Sequence, residues 1–283
     1  MPSLIHTIKT KGFVNTLKRG AVIYSRYSFN RFVSSFNTII EILEDYNASS
    51  TFPITAMTLE RNVDTIKEWR NKRIEWAMHG YVHVDYSNLD KETIEKHIVA
   101  GRKIFYRSGI ELYGFRAPYL SVNDEILGIL RERRFLYDSS KSFFVDVIPV
   151  DGNVKRILKY YKPIKNWKLE NYDGLVEIPV SLPDDEILVD RLGYRGDKIG
   201  KIWVKMCEII KDLGGIPVLQ LHPERGRICS DALSMVLEWA RKNDINVVQL
   251  KDIAQGNLSN ILVITGDVDI IKISDLRYMK GEI

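Results

Sequence analysis

The 283-residue chain has 45% hydrophobic and 28% charged residues, which suits one large globular core and argues against a disordered chain. No run approaches the roughly 20 apolar residues that would span a bilayer. A net charge of +4 is too small to point to nucleic acid as a partner.

Residues 1–24 carry basic side chains but no unbroken apolar stretch before a cleavage site, so no secretory signal is expected and the cytoplasm is the expected location. Cys207 and Cys229 show no metal-type spacing, and neither is assigned work. Short β-branched runs alternate with amphipathic segments, the pattern of βα units around a parallel sheet. The first strand is expected at 21–24, followed by a helix at 30–46 whose Phe32, Phe36, Ile39, Ile40 and Leu43 share one face. Strands at 51–55 and 75–79 come next, then a helix from Asp90, a good amino-terminal cap, to Lys103. A strand at 113–117, a helix at 121–134 and a strand at 136–138 follow. Residues 143–174 lack clean periodicity and exceed an ordinary connection, so a lid or substrate loop is expected there. Its lysines, interleaved with Tyr160, Tyr161 and Trp167, suit either a solvated basic surface or a phosphate-bearing sugar. Strands at 175–180, 217–221 and 246–250 alternate with helices at 197–212 and 230–242, and a last apolar run lies at 261–265.

One (β/α) barrel of about 250 residues fits this order. It would have seven or eight parallel strands plus an extra C-terminal one, with a core at 21–250 and 251–283 as an extension packed on it. Truncation after Gly256 is then expected to leave a folded barrel.

In such a barrel, chemistry sits at the carboxyl ends of the strands. Three expected strands end in conspicuous polar residues: His79 with His83, Arg116, and His222. Two histidines four apart can share a metal ion or serve as structural hydrogen-bonding groups. Arg116 taken alone reads as a salt-bridge partner under the barrel rim, and His222 as a loop histidine bonding backbone groups; it is their joint placement on three strand ends that points to chemistry. His97, mid-helix with nothing polar converging, reads as a surface residue, as does His6.

These same residues resemble the polysaccharide deacetylase (NodB-homology) family, the fourth carbohydrate esterase family. Ser50-Thr51-Phe52-Pro53-Ile54 is similar to its second-strand motif, and His79-Gly80-Tyr81-Val82-His83 to its metal motif with glycine in second place. Gly114-Phe115-Arg116-Ala117-Pro118-Tyr119 resembles its groove motif, and Leu221-His222-Pro223 its late histidine motif. The resemblance runs from about residue 21 to 250. It implies a distorted (β/α) barrel that uses a divalent metal, most often zinc, to remove acetyl groups from N-acetylated sugars. Carried over, His79 and His83 would bind the metal and Arg116 would orient a catalytic carboxylate. His222 would be the general acid, and Pro118 and Tyr119 would line the substrate groove. The expected partner is a small-molecule or oligosaccharide amide.

One departure stands out. The family's first strand ends in two aspartates, a base and a metal ligand, whereas residues 23–28 contain no carboxylate. The segment Leu262-Val263-Ile264-Thr265-Gly266-Asp267-Val268-Asp269 resembles that strand moved to the end of the chain. Asp267 would then be the base and Asp269 the third metal ligand, two residues apart and so on one face. Otherwise Gly266-Asp267 is a plain turn and Asp269 a solvated acid. Asp85, Asp184 and Asp185 are further acids in reach, and Asp138 is a candidate partner for His222. Two other functions stay open: hydrolysis of another C–N bond such as a cyclic ureide, and an inactive barrel that binds glycan or a partner protein.

Overall fold

The computed structural model describes residues 27–69, 72–256, 258–270, 275 and 278, the side chains of 27–31 excepted. The strand expected at 21–24, the carboxylate-free residues that follow it up to Arg26, and His6 lie outside the described residues.

Helix α1 (Tyr27–Asp45) buries its predicted face against strand β1 (Ser50–Ile54), where Phe36 meets Phe52 edge-on at 4.7 Å. Two short helices, α2 (Ala56–Arg61) and α3 (Val63–Glu68), lead to β2 (Ile74–Met78). Helix α4 (Lys91–Arg107) starts at Asp90, whose carboxylate accepts from the Thr93 amide, as a cap should. Strand β3 (Gly114–Phe115), helix α5 (Asp124–Glu132), and strands β4 (Tyr137–Asp138) and β5 (Ser142–Phe144) follow.

The segment expected to be irregular holds a helix, α6 (Gly152–Tyr161), and an antiparallel strand, β6 (Glu170–Tyr172). Val154, Ile157, Leu158 and Tyr161 do have helical spacing, with Asp151 as cap. The run at 175–180 is two strands, β7 (Leu175–Glu177) and β8 (Val180–Leu182), because Pro179 interrupts the ladder between them. Helix α7 (Asp197–Asp212), strand β9 (Val218–Leu221), helix α8 (Gly226–Lys242), strand β10 (Asn246–Val248), helix α9 (Leu250–Gln255) and strand β11 (Ile261–Gly266) complete the order.

The pairings return on themselves. β1 pairs β2, β2 pairs β3, β3 pairs β4, and β4 pairs β7. Past the bends at 139–141 and 178–179 the same two chains continue as the β5–β8 pair, and β8 pairs β9. β9 pairs β11, and β11 pairs β1. This is a distorted (β/α) barrel, and among the described residues its strands are parallel except for the β6–β7 pair.

The last strand therefore does not lie on the outside of the barrel. All six residues of β11 are buried between β9 and β1, with Thr265 opposite Thr51 and Gly266 opposite Leu221. Gly266 is required by this closeness, since a Cβ there would lie 2.7 Å from the Leu221 carbonyl and 2.8 Å from the Phe52 ring. Truncation after Gly256 would remove a central strand, contrary to the expectation of a folded remainder. No helix among the described residues is long and apolar enough to cross a membrane.

Candidate active site

The carboxyl end of β11 sets the site. Past Gly266 the backbone keeps to β1, with the Val268 amide donating to Pro53 O at 2.7 Å. Asp267 and Asp269 therefore leave the sheet on the side of the barrel where β2 delivers His79 and His83. His83 Nε2 lies 3.3 Å from Asp269 Oδ2, and His79 Nε2 lies 3.7 Å from Asp267 Oδ2. The two imidazole rings are 5.2 Å apart.

Gly80 explains the departure from the usual second residue of the histidine motif. Its φ is +75°, and a Cβ would meet the Tyr86 ring at 2.7 Å. The turn it permits is tied down by Tyr86, whose hydroxyl accepts from the Tyr81 amide at 2.7 Å. Tyr86 Oη also contacts His97 Nδ1 at 3.1 Å. His97 is thus buried, not a surface residue as expected, and its Nε2 meets the Tyr278 carbonyl at 3.2 Å.

Arg116 lies fully buried across the barrel interior, and its planar fork makes four hydrogen bonds. Nε donates to Ser139 O at 2.8 Å and Nη2 to Ser139 Oγ at 2.9 Å. Nη1 donates to Thr265 Oγ1 and to Asp267 Oδ1, both at 3.0 Å. The other Asp267 oxygen accepts from Gln220 Nε2 at 3.0 Å. Burial works against the Asp267 charge, but His79 and Arg116 outweigh it and hold this carboxyl below the usual range. Removing either member of such a pair leaves a buried charge, at a cost of about 3–5 kcal/mol.

His79 Nδ1–H donates to the Arg116 carbonyl at 2.9 Å, which leaves Nε2 as a lone-pair donor with no hydrogen-bond partner. Burial lowers the pKa of His79 and of His83 to about 4, so both rings are neutral at physiological pH, as metal ligation requires. Burial, with Glu224 nearby, raises Asp269 to about 7. Asp269 is partly exposed beside His83, and a carboxylate with two neutral imidazoles supplies the donor types that a divalent cation takes.

A second group, Asp184, Asp185 and His222, offers donor atoms within 4.8 Å of one another. Of its two carboxylates, Asp185 is already engaged, whereas Asp184 keeps a buried oxygen without a hydrogen-bond partner. Asp185 accepts from His222 Nδ1–H at 2.7 Å and from the His222 amide at 2.8 Å, with Arg225 Nη1 at 3.5 Å. Burial opposes a charge on His222, but Asp185 overcomes it and raises the imidazolium pKa well above the ordinary value. A charged imidazole of this kind has a proton that it can give.

Asp138 is not the partner of His222. It stands opposite Glu177 in the β4–β7 register and accepts from Ser140 Oγ at 2.7 Å. Burial raises both carboxyls, and their mutual repulsion leaves Glu177 the protonated one. Ser140 Oγ in turn accepts from the Ala117 amide at 2.8 Å, so this pair braces the loop that grips Arg116. Asp85 is spent largely on capping, with Oδ1 accepting from Ser87 N and Oγ. Pro118 is buried, and Tyr119 meets His83 edge-on at 4.4 Å.

Sequence reasoning assigned no role to Gln220 and did not pair Asp185 with His222. Gln220 was legible, since residues two apart on β9 share a face and His222 was already a candidate.

Residues 27–136 match the family model described as polysaccharide deacetylase, so the family resemblance read from the motifs holds for this part of the chain. The match ends before β9 and β11. Among curated proteins, a Bacillus cereus peptidoglycan-N-acetylglucosamine deacetylase is 28% identical over 94 residues, which cover 33% of this chain and 44% of that protein. The matched segments span 15% to 44% of the length of the curated relatives. A Mycobacterium smegmatis structure assigned as a polysaccharide deacetylase is 26% identical with a TM-score of 0.63, over 78% of this chain and 76% of that one. Two more distant structures share the fold alone. One is an allantoinase, 18% identical with a TM-score of 0.63, over 81% of this chain and 74% of that one. The other is a Bacillus anthracis pseudoenzyme of the fourth carbohydrate esterase family, 13% identical with a TM-score of 0.52, over 83% and 65%.

Proposed function

We propose that the protein is a metal-dependent hydrolase that removes the acetyl group from an N-acetylated sugar or glycan. The observation that carries this reading is Asp267. It is a buried carboxylate held by Arg116 and Gln220, 3.7 Å from an imidazole nitrogen that has no hydrogen-bond partner.

His79, His83 and Asp269 would hold one divalent ion, zinc by the character of the donors, leaving a position open for water or substrate. Such an ion, when bound, polarises the acetyl carbonyl and lowers the pKa of a water. Asp267 takes the proton from the water whose oxygen bonds to the acetyl carbon. His222 delivers its Nε2 proton to the sugar nitrogen as the C–N bond breaks, and acetate and a free amine leave. Arg116 and Gln220 keep Asp267 ionised and aimed, and Asp185 keeps His222 charged. A cytoplasmic location goes with this reading.

His79→Ala and His83→Ala are expected to lose the roughly one equivalent of divalent ion that the wild type carries. Elemental analysis finding equal metal in all three would remove the metal site. A separate expectation concerns pH. His222 must be protonated to donate, so turnover persists through neutrality and fails as pH rises through its elevated pKa. Arg225 lowers that pKa while Asp185 and Glu224 raise it. Asp185→Asn removes the larger support, so the alkaline limb of kcat should move to lower pH. A limb that stays in place would mean that another group donates.

A further inference from the structure

Gly80 gives the turn between His79 and His83 its left-handed step but no side chain to hold it there, so the turn is fastened from outside. The Tyr81 amide donates to Tyr86 Oη at 2.7 Å. Tyr86 Oη lies 3.1 Å from His97 Nδ1, and His97 Nε2 lies 3.2 Å from the Tyr278 carbonyl. The direction of this relay can be assigned. A carbonyl only accepts, so Nε2 carries a proton. Burial lowers the pKa of His97 to about 4, which keeps the ring neutral and leaves Nδ1 as an acceptor. The Tyr86 hydroxyl therefore donates to Nδ1 while it accepts from the Tyr81 amide. Tyr86 and His97 are both fully buried, so breaking either link takes a hydrogen bond from groups that water does not reach.

The far end of the relay belongs to the chain that follows the two aspartates of the site. Tyr278 also meets Tyr81 edge-on at 5.4 Å. Nearer the aspartates, Arg61 of α2 donates from Nη2 to Ile270 O at 2.7 Å and from Nη1 to Asp275 Oδ1 at 2.5 Å. Ile270 directly follows Asp269, and its amide donates to Thr58 Oγ1 at 3.2 Å. The C-terminal residues are thus fastened twice, beside Asp269 through α2 and beside the histidine turn through α4.

Two histidines on one turn share an ion well only if the turn keeps both imidazoles at fixed distances from it, and the groups that orient metal ligands set much of the affinity. We infer that Tyr86 and His97 are positioning residues for the metal site. They hold the turn so that His79 and His83 reach the ion together, and they tie that turn to the main chain at Tyr278. Neither is itself a ligand. This inference rests on the metal site proposed above.

The test is calorimetric zinc binding to the metal-free full chain of the wild type, Tyr86→Phe and His97→Phe. Both variants keep a ring in place and remove the polar atoms of one link. Val236→Ala, at a buried position of α8, controls for lost stability alone, and thermal unfolding reports how much each variant loses. Tyr86→Phe and His97→Phe should each still bind about one ion, with the zinc Kd raised about 10-fold, the lower end of the about 10- to 100-fold that outer partners of metal ligands contribute. Val236→Ala should stay within about twofold of wild type. Either relay variant decides the matter should the other not fold. A folded relay variant with Kd within about twofold of wild type, or a rise in Val236→Ala as large as theirs, overturns the inference. Should the wild type bind no zinc at all, the metal reading fails instead. Hydrogen exchange of residues 80–83 in the metal-free proteins then decides the relay on its own. Faster exchange of that turn in His97→Phe than in Val236→Ala supports it, and equal exchange refutes it.

Discussion

Asp267→Asn is expected to lower acetate release about 10²- to 10⁴-fold, the usual contribution of a general base, while leaving metal content intact. The two aspartates of the tail divide the work by position. Asp269 lies against His83 at 3.3 Å, whereas Asp267 is gripped by Arg116 and Gln220, so the proton should go to Asp267. Asparagine keeps an oxygen for Arg116 and can turn its amide toward Gln220 Oε1, a buried acceptor with no partner. The variant should therefore fold, though less stably because the buried Arg116 charge loses its counter-charge, and circular dichroism checks this. Near-normal turnover in a folded, metal-loaded variant would assign the proton to another group.

Truncation after Gly256 is expected to abolish folding. Ile261, Leu262, Val263 and Ile264 are all buried in β11, and burying an aliphatic side chain contributes about 1.5–3 kcal/mol. Together that is about 6–12 kcal/mol, comparable with the about 5–15 kcal/mol by which whole domains are stable. The cut would also open edges on β9 and β1 that β11 now pairs. Thermal unfolding followed by circular dichroism should show no cooperative transition. A truncated chain that melts like the full one would mean that another segment can fill the slot.

How much of this was legible in the sequence depends on whether the signal was local. His79, His83, Arg116 and His222 could be read because each follows an apolar run that ends a strand. Asp267 and Asp269 could be read as a pair two residues apart after such a run, although only the pairing of β11 with both β9 and β1 brings them to His79 and His83. The partner of His222 was not legible. Asp138 ends one strand and Asp185 follows another, and nothing local says that the pairing of β4 with β7 sets Asp138 opposite Glu177. His97 was misread although the signal was there. With Ile94, Ile98, Gly101 and Ile104 it falls on the buried stripe of α4. Helix α6 was overlooked because its lysines mask a short apolar stripe.

The central claim is that the last strand completes a catalytic site that the first part of the chain leaves unfinished. It is tested most directly by measuring acetate released from N-acetylglucosamine tetramer by the zinc-loaded full chain and by Asp267→Asn, with a cyclic ureide as control substrate. The expected result is acetate from the wild type, about 10²-fold less or lower still from the variant, and no hydrolysis of the ureide. A folded, zinc-loaded wild type that releases no acetate, or that releases it as fast without the Asp267 carboxylate, would contradict it.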